Sequence, residues 1–150
     1  MEFQATILPG TGAAGLIIGD LLPDSPPDYQ RSASLAIGGL GNAEFEQLMY
    51  GPVTILSSEK RIVEITVREG YEGRTEKGIG IGSTIREVKQ AYGENVYEDW
   101  EENLITPSTP GWCFETTAWR TPYDPNSRII HIVVYSITRG KLTKYENANQ

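Results

Sequence analysis

Apolar and polar positions alternate along most of this chain, and the alternation predicts a mainly β protein. The runs FQATIL (3–8), SLAIG (34–38), PVTIL (52–56), RIVEITV (61–67), WCFETTAW (112–119) and RIIHIVVYSI (128–137) all suit half-buried strands. In RIVEITV and RIIHIVV a period of two assigns Val63, Ile65, Val67, Ile130, Ile132 and Val134 to the core face and leaves Glu64 and His131 on the wetter one. Glycines and prolines punctuate the runs, and LLPDSPPDYQ (21–30) holds too many prolines for a helix interior, so it reads as a loop. NAEFEQLMYG (42–51) fits a short helix and a strand equally.

The period lengthens once, in KGIGIGSTIREVKQAYG (77–93). Thr84 with Glu87 three residues on makes a capping box; Ile85, Val88, Ala91 and Tyr92 share one face; Gly93 supplies a left-handed stop. A helix of about two turns is marginal alone, so its apolar face is expected to dock on a sheet. The glycines before it do not make a nucleotide site. Gly78, Gly80 and Gly82 give G-x-G-x-G, the polar EGRTEK ahead of them is no buried strand, and Lys77 precedes the glycines where a phosphate-loop lysine follows them. The expectation is a short strand carrying Ile79 and Ile81, no cleft above the helix start, and no cofactor.

GLIIGD from Gly15 matches GIGIGS from Gly78 at an offset of 63, and RIVEITV matches RIIHIVV at an offset of 67. Two matches at similar offsets predict one domain over 1–150 built from related halves, 1–76 and 77–150, whose sheets join side by side. The fold class follows: α+β, a mainly antiparallel sheet with one or two short helices packed on one face.

Composition narrows the functions. At 150 residues, 39% of them hydrophobic, the chain can bury a core without staples. The formal charge of −7 opposes nucleic acid and anionic membranes and favours a basic protein partner. No apolar run approaches the ~18–20 residues of a membrane helix. Cys113 is the lone cysteine, so neither an intrachain disulfide nor a thiolate zinc cluster is available. With no basic, apolar leader in MEFQATILPG, the expectation is a cytoplasmic protein.

Candidate chemistry is sparse. His131 is the sole histidine, and any nucleophile–histidine relay would use it with Cys113 on another strand; its strand position reads instead as a rim residue. ENVYEDWEEN carries Glu94, Glu98, Asp99, Glu101 and Glu102 with Tyr97 and Trp100 interleaved. That composition suits a solvated loop, lacks the calcium-loop glycine, and suits capture of a basic surface by charge with an aromatic anchor. Trp112 and Phe114 share one strand face and Cys113 and Trp119 the other, which leaves Trp119 and Tyr123 as further interface candidates.

The order strand, GIGIGSTIREVKQAYG, long loop, aromatic strand, turn and RIIHIVVYSI resembles the small α/β module of the SmpA/BamE lipoproteins and of β-lactamase-inhibitor-like proteins. In that pattern, I-x-x-G-x-[ST]-x-x-E-V-x-x-x-x-G, the positions Ile79, Gly82, Thr84, Glu87, Val88 and Gly93 match, within 77–139. The chain departs from it in lacking a lipobox cysteine and disulfides and in its first half. The resemblance implies protein contact with no catalytic residue to carry over, and the residues themselves lead to the expectation of no cofactor and no metal. The expected function is a protein-binding domain, an inhibitor or immunity protein that blocks a basic toxin or enzyme with an acidic, aromatic face. The rival is a small hydrolase or small-ligand-binding protein using Cys113, His131 and nearby carboxylates.

Overall fold

The structure is a computed structural model that describes residues 2–23, 30–36, 44–93, 96–99, 104–116, 124–138 and 140–141, with the backbone alone for 30–36 and 44. A short hairpin of β1 (Gly12–Ala13) and β2 (Leu16–Ile17) comes first. Then follow β3 (Gln30–Ala36), β4 (Glu44–Tyr50), β5 (Val53–Ser58), β6 (Arg61–Val67), helix α1 (Ile85–Tyr92), β7 (Tyr97–Asp99), β8 (Leu104–Thr106), β9 (Trp112–Thr116) and β10 (Ile129–Tyr135). Strands β3 to β10 form one antiparallel sheet in the order β3-β4-β5-β6-β10-β9-β8-β7. Two four-stranded meanders therefore meet at a β6–β10 seam, where Thr66 faces Val133.

The ambiguous NAEFEQLMYG lies in a strand: β4 pairs on both sides, and Leu48 and Tyr50 join the core while Phe45 packs on the opposite face. FQATIL departs from expectation. Residues 3–5 turn, and only Leu8 makes an isolated bridge, to Gly12. Its backbone is satisfied by loops, with Glu72 and Gly73 N–H donating to Phe3 O and the Tyr71 hydroxyl to Ala5 O. GIGIGS is not a strand either. Thr75 N–H donates to Ile79 O and Gly80 N–H to the Ser83 hydroxyl, so the glycines build turns, with Ile79 buried and Ile81 half-buried.

Strict alternation fails at one point in each meander. β5 and β6 pair Leu56 with Glu64 and then Ser57 with Ile62, so Val63 is an extra residue. β9 and β10 pair Glu115 with His131 and then Thr116 with Ile129, so Ile130 is extra. Such a bulge turns the chain so that Ile62 and Ile65, like Ile129 and Ile132, both reach the main core. The expected core face thus holds for Ile65, Val67, Ile132 and Val134 and is corrected for the other two. Val63 packs in a separate cluster with Phe45 and Leu56, and Ile130 is exposed. Glu64 is also corrected, since only 1% of it is exposed.

The contacts closing each meander recur at the offsets of the sequence matches. Leu21 bridges Arg61, and Thr84 bridges Arg128. Gly19 N–H donates to Ile62 O at 2.7 Å and Gly82 N–H to Ile129 O at 2.9 Å; Ile62 N–H donates to Asp20 O at 2.9 Å and Ile129 N–H to Ser83 O at 2.7 Å. The Arg61 guanidinium donates to Gly19 O and that of Arg128 to Gly82 O, at 2.9 and 2.7 Å. Each pair differs by 63 residues on the loop side and 67 on the strand side.

Helix α1 forms where its local chemistry predicts. The Thr84 hydroxyl accepts from Glu87 N–H, the Glu87 carboxylate accepts from Thr84 N–H, and Gly93 ends the helix at φ 81°. Ile85 and Val88 are buried, and Tyr92 sets its ring edge-on to Trp112 and Phe114 at 5.6 and 6.2 Å. Burying each large aliphatic side chain contributes about 1.5–3 kcal/mol, which holds so short a helix in place.

Candidate functional site

The acidic run expected to contact a partner contains an edge strand, a correction to its reading as a loop. β7 pairs with β8, Tyr97 opposite Thr106 and Asp99 opposite Leu104, and ends the sheet. Tyr97 is 67% exposed, the most open large hydrophobic residue among those described. Glu98 is half-buried and ion-paired with Lys89 of α1, so part of its charge is spent holding β7 to the helix. Asp99 is half-buried beside it. Glu94, Trp100, Glu101, Glu102, Trp119 and Tyr123 lie outside the described residues.

A second place was not expected. A cleft of about 970 Å³ opens where β6 ends and β10 begins, within the range of small-molecule sites. Ile81 and Gly82 lie on its wall, so the expectation of no cleft above the helix start is overturned. Continuing the β6–β10 register by one residue sets Arg68 opposite His131, and both line the cleft. Arg61, Arg74, Arg86 and Arg128 each donate to an acceptor within 3.0 Å. Arg68 differs: its Nε is buried and has no acceptor. Leaving such a donor unmet costs about 1–3 kcal/mol.

His131 is positioned by its partner strand. Its Nδ1 lies 2.6 Å from Oε1 of Glu115, directly across the ladder; with Glu115 ionised, Nδ1–H donates and the ring is fixed. The Glu115 side chain is only 7% exposed against 28% for His131, and its Oε2 is buried without a donor. Cys113, two residues before Glu115 on the same face, is 2% exposed and packs with Leu104 and Val133. Cys113 and His131 are thus diagonal neighbours on adjacent strands, but the histidine's Nδ1 is turned to the carboxylate. Tyr135 packs against this cluster, donates to Trp112 O at 3.1 Å, and has its pKa pushed up to about 12 by burial, then by Cys113 and Glu64.

Sequence reasoning passed over Arg68 and Glu115. The available signal was a charged residue directly after the apolar Trp112-Cys113-Phe114 and a guanidinium on the residue after a buried strand. Among the described residues no three His, Cys, Asp or Glu side chains are grouped to hold a metal ion, and no helix is long and apolar enough to cross a membrane.

No protein-family model and no curated protein matches the chain. A solved structure, described as that of the uncharacterized protein yfeY from Escherichia coli, is similar at a TM-score of 0.61 and 14% identity, over 88% of this chain and 99% of that one. At that identity the likeness is one of fold alone; among its described residues this chain is a mostly antiparallel sheet with one short helix.

Proposed function

We propose that this chain is a protein-binding domain that captures a basic partner along β7, as an inhibitor or immunity protein covers a toxin or enzyme. Tyr97 carries the reading. A tyrosine two-thirds exposed at the outermost strand, beside Glu98 and Asp99, offers an aromatic anchor within an acidic field. The overall charge of −7 steers a cationic surface toward it. The resemblance of 77–139 to modules that act by protein contact points the same way, and the lone thiol suits a reducing compartment such as the cytoplasm. The rival hydrolase draws less support, because its only cysteine nucleophile, Cys113, is buried.

The test is kinetic. Binding of basic proteins from the source cell is followed by interferometry for the wild type, Tyr97→Ala and a Glu98→Gln/Asp99→Asn double variant. The double variant is expected to associate several-fold more slowly with a flatter salt dependence, and Tyr97→Ala to dissociate at least about tenfold faster. Wild-type kinetics in both variants, each shown to be folded, would move the binding face away from β7.

A further inference from the structure

We propose that the cleft between the end of β6 and the start of β10 binds a small organic monocarboxylate, with Arg68 as the group that takes the carboxylate. A guanidinium presents parallel N–H donors that match a carboxylate; Arg68 lines the cleft, and its Nε, covered by protein, has no acceptor, so a carboxylate engages it through a shift of the side chain toward the cleft. Ile81 and Ile130 add apolar wall for the body of such a molecule, and Ile130 is exposed because the bulge at that residue turns it off the core face. His131, held by Glu115, supplies a fixed polar edge beside Arg68.

Charge selects the ligand class. The cleft also presents Glu69, Glu72 and Asp124, all exposed, against Arg68 and Arg128. Three exposed carboxylates against two guanidinium groups leave the cleft at −1, which opposes a doubly charged phosphate ester or nucleotide most strongly, so an anion is held there only by direct contact with Arg68 and only if it carries a single charge.

The other meander supplies an internal comparison. At the same offsets the place of Arg68 is taken by Tyr135, that of His131 by Glu64 and that of Ile130 by Val63. There the hydroxyl of Tyr135 is satisfied by Trp112 O, Glu64 is buried, and the remaining cleft is about 220 Å³. One scaffold position is closed and satisfied; its counterpart is an open cleft lined by a guanidinium whose buried Nε has no acceptor.

The full chain is titrated with hexanoate, phenylacetate, hexanamide and inorganic phosphate while the Arg68 Nε–H and backbone amide resonances are followed by NMR. Expected is a saturable shift of Arg68 Nε–H and of the Gly70, Gly82 and His131 amides with one of the carboxylates. Hexanamide and phosphate should bind at least about tenfold more weakly, and Arg68→Gln should lose at least about tenfold. Arg68→Met, which removes the buried donor, is expected to raise Tm by about 2 °C or more. No saturable shift at Arg68 up to roughly 10 mM carboxylate, equal binding of hexanamide or phosphate, retained affinity in Arg68→Gln, or a Tm lowered in Arg68→Met would each overturn the assignment.

Discussion

Replacing Glu115 with leucine should leave the fold as stable as before or more so, although it deletes a 2.6 Å hydrogen bond. The counterpart of Glu115 beside the other bulge is Leu56, which is buried with Phe45 and Val63, so a leucine suits that place in the ladder. Two terms decide the sign. Removing the carboxylate relieves a buried oxygen that has no donor, about 1–3 kcal/mol, and forfeits a charge-assisted bond of about 1.5–3 kcal/mol. Part of the second term returns, since the His131 side chain is partly exposed and can bond to water. The net is about 0–2 kcal/mol of stabilisation, or a Tm rise of up to about 8 °C for a chain this size. His131→Ala does the opposite, because it strands a buried carboxylate with neither oxygen satisfied, and should cost about 3–5 kcal/mol. In the Glu115→Leu background the same change should cost less than about 1.5 kcal/mol, a coupling that a double-mutant cycle resolves. Urea unfolding followed by tryptophan fluorescence, with unchanged m values, measures all four proteins. A Glu115→Leu protein weaker than wild type by more than about 1 kcal/mol, or a His131→Ala protein within about 1 kcal/mol of it, would refute the reasoning.

Three further outcomes are expected. Glu59 and Lys60 turn β5 into β6 with φ of 52° and 64°, a left-handed pair that favours glycine, so Lys60→Gly should stabilise by about 1 kcal/mol in thermal melts. The Thr84 backbone N–H, then its hydroxyl, hold the Glu87 carboxyl below its ordinary value, so its contribution is present above the unfolded-state value and is lost as pH falls through the lower folded one; Glu87→Gln should remove that acid-side loss of stability in melts taken at successive pH values. Tyr135 has the reverse sign, raised from 10.0 to about 12, so its contribution is present below pH 10.0 and disappears as pH climbs through 12; Tyr135→Phe should flatten the alkaline arm of stability against pH.

What could be seen in the sequence depended on how far each signal reaches along the chain. Helix α1 was visible whole, because Thr84, Glu87 and Gly93 act on their own turn. The strands were visible as periods, but the bulges were not: whether Val63 and Ile130 are extra residues is decided by the count on the partner strand. FQATIL alternates as a strand does, yet no neighbour pairs along it, and its carbonyls go to Tyr71, Glu72 and Gly73. Tyr97 stood out as an aromatic among acids. The attachment of Glu98 to Lys89 did not, since it crosses from helix to strand. Arg68 belongs to a site only by virtue of β10, about sixty residues away in the chain, and its one local mark, a guanidinium just after a buried strand, does not reveal what lies opposite.

The β6–β10 seam has a kinetic consequence. Every other ladder in the sheet joins strands adjacent in sequence, whereas the seam joins Ile132 to Val67 and Tyr135 to Glu64, 65 and 71 positions apart. Closing so long a loop costs entropy before any contact repays it, and slow folding is the mark of such non-local pairing. The two meanders can zip hairpin by hairpin, while the whole sheet waits for them to meet. Substitutions at Thr66 or Val133, at the centre of the seam, should therefore slow refolding in stopped-flow experiments, and equally disruptive ones inside a meander should chiefly hasten unfolding.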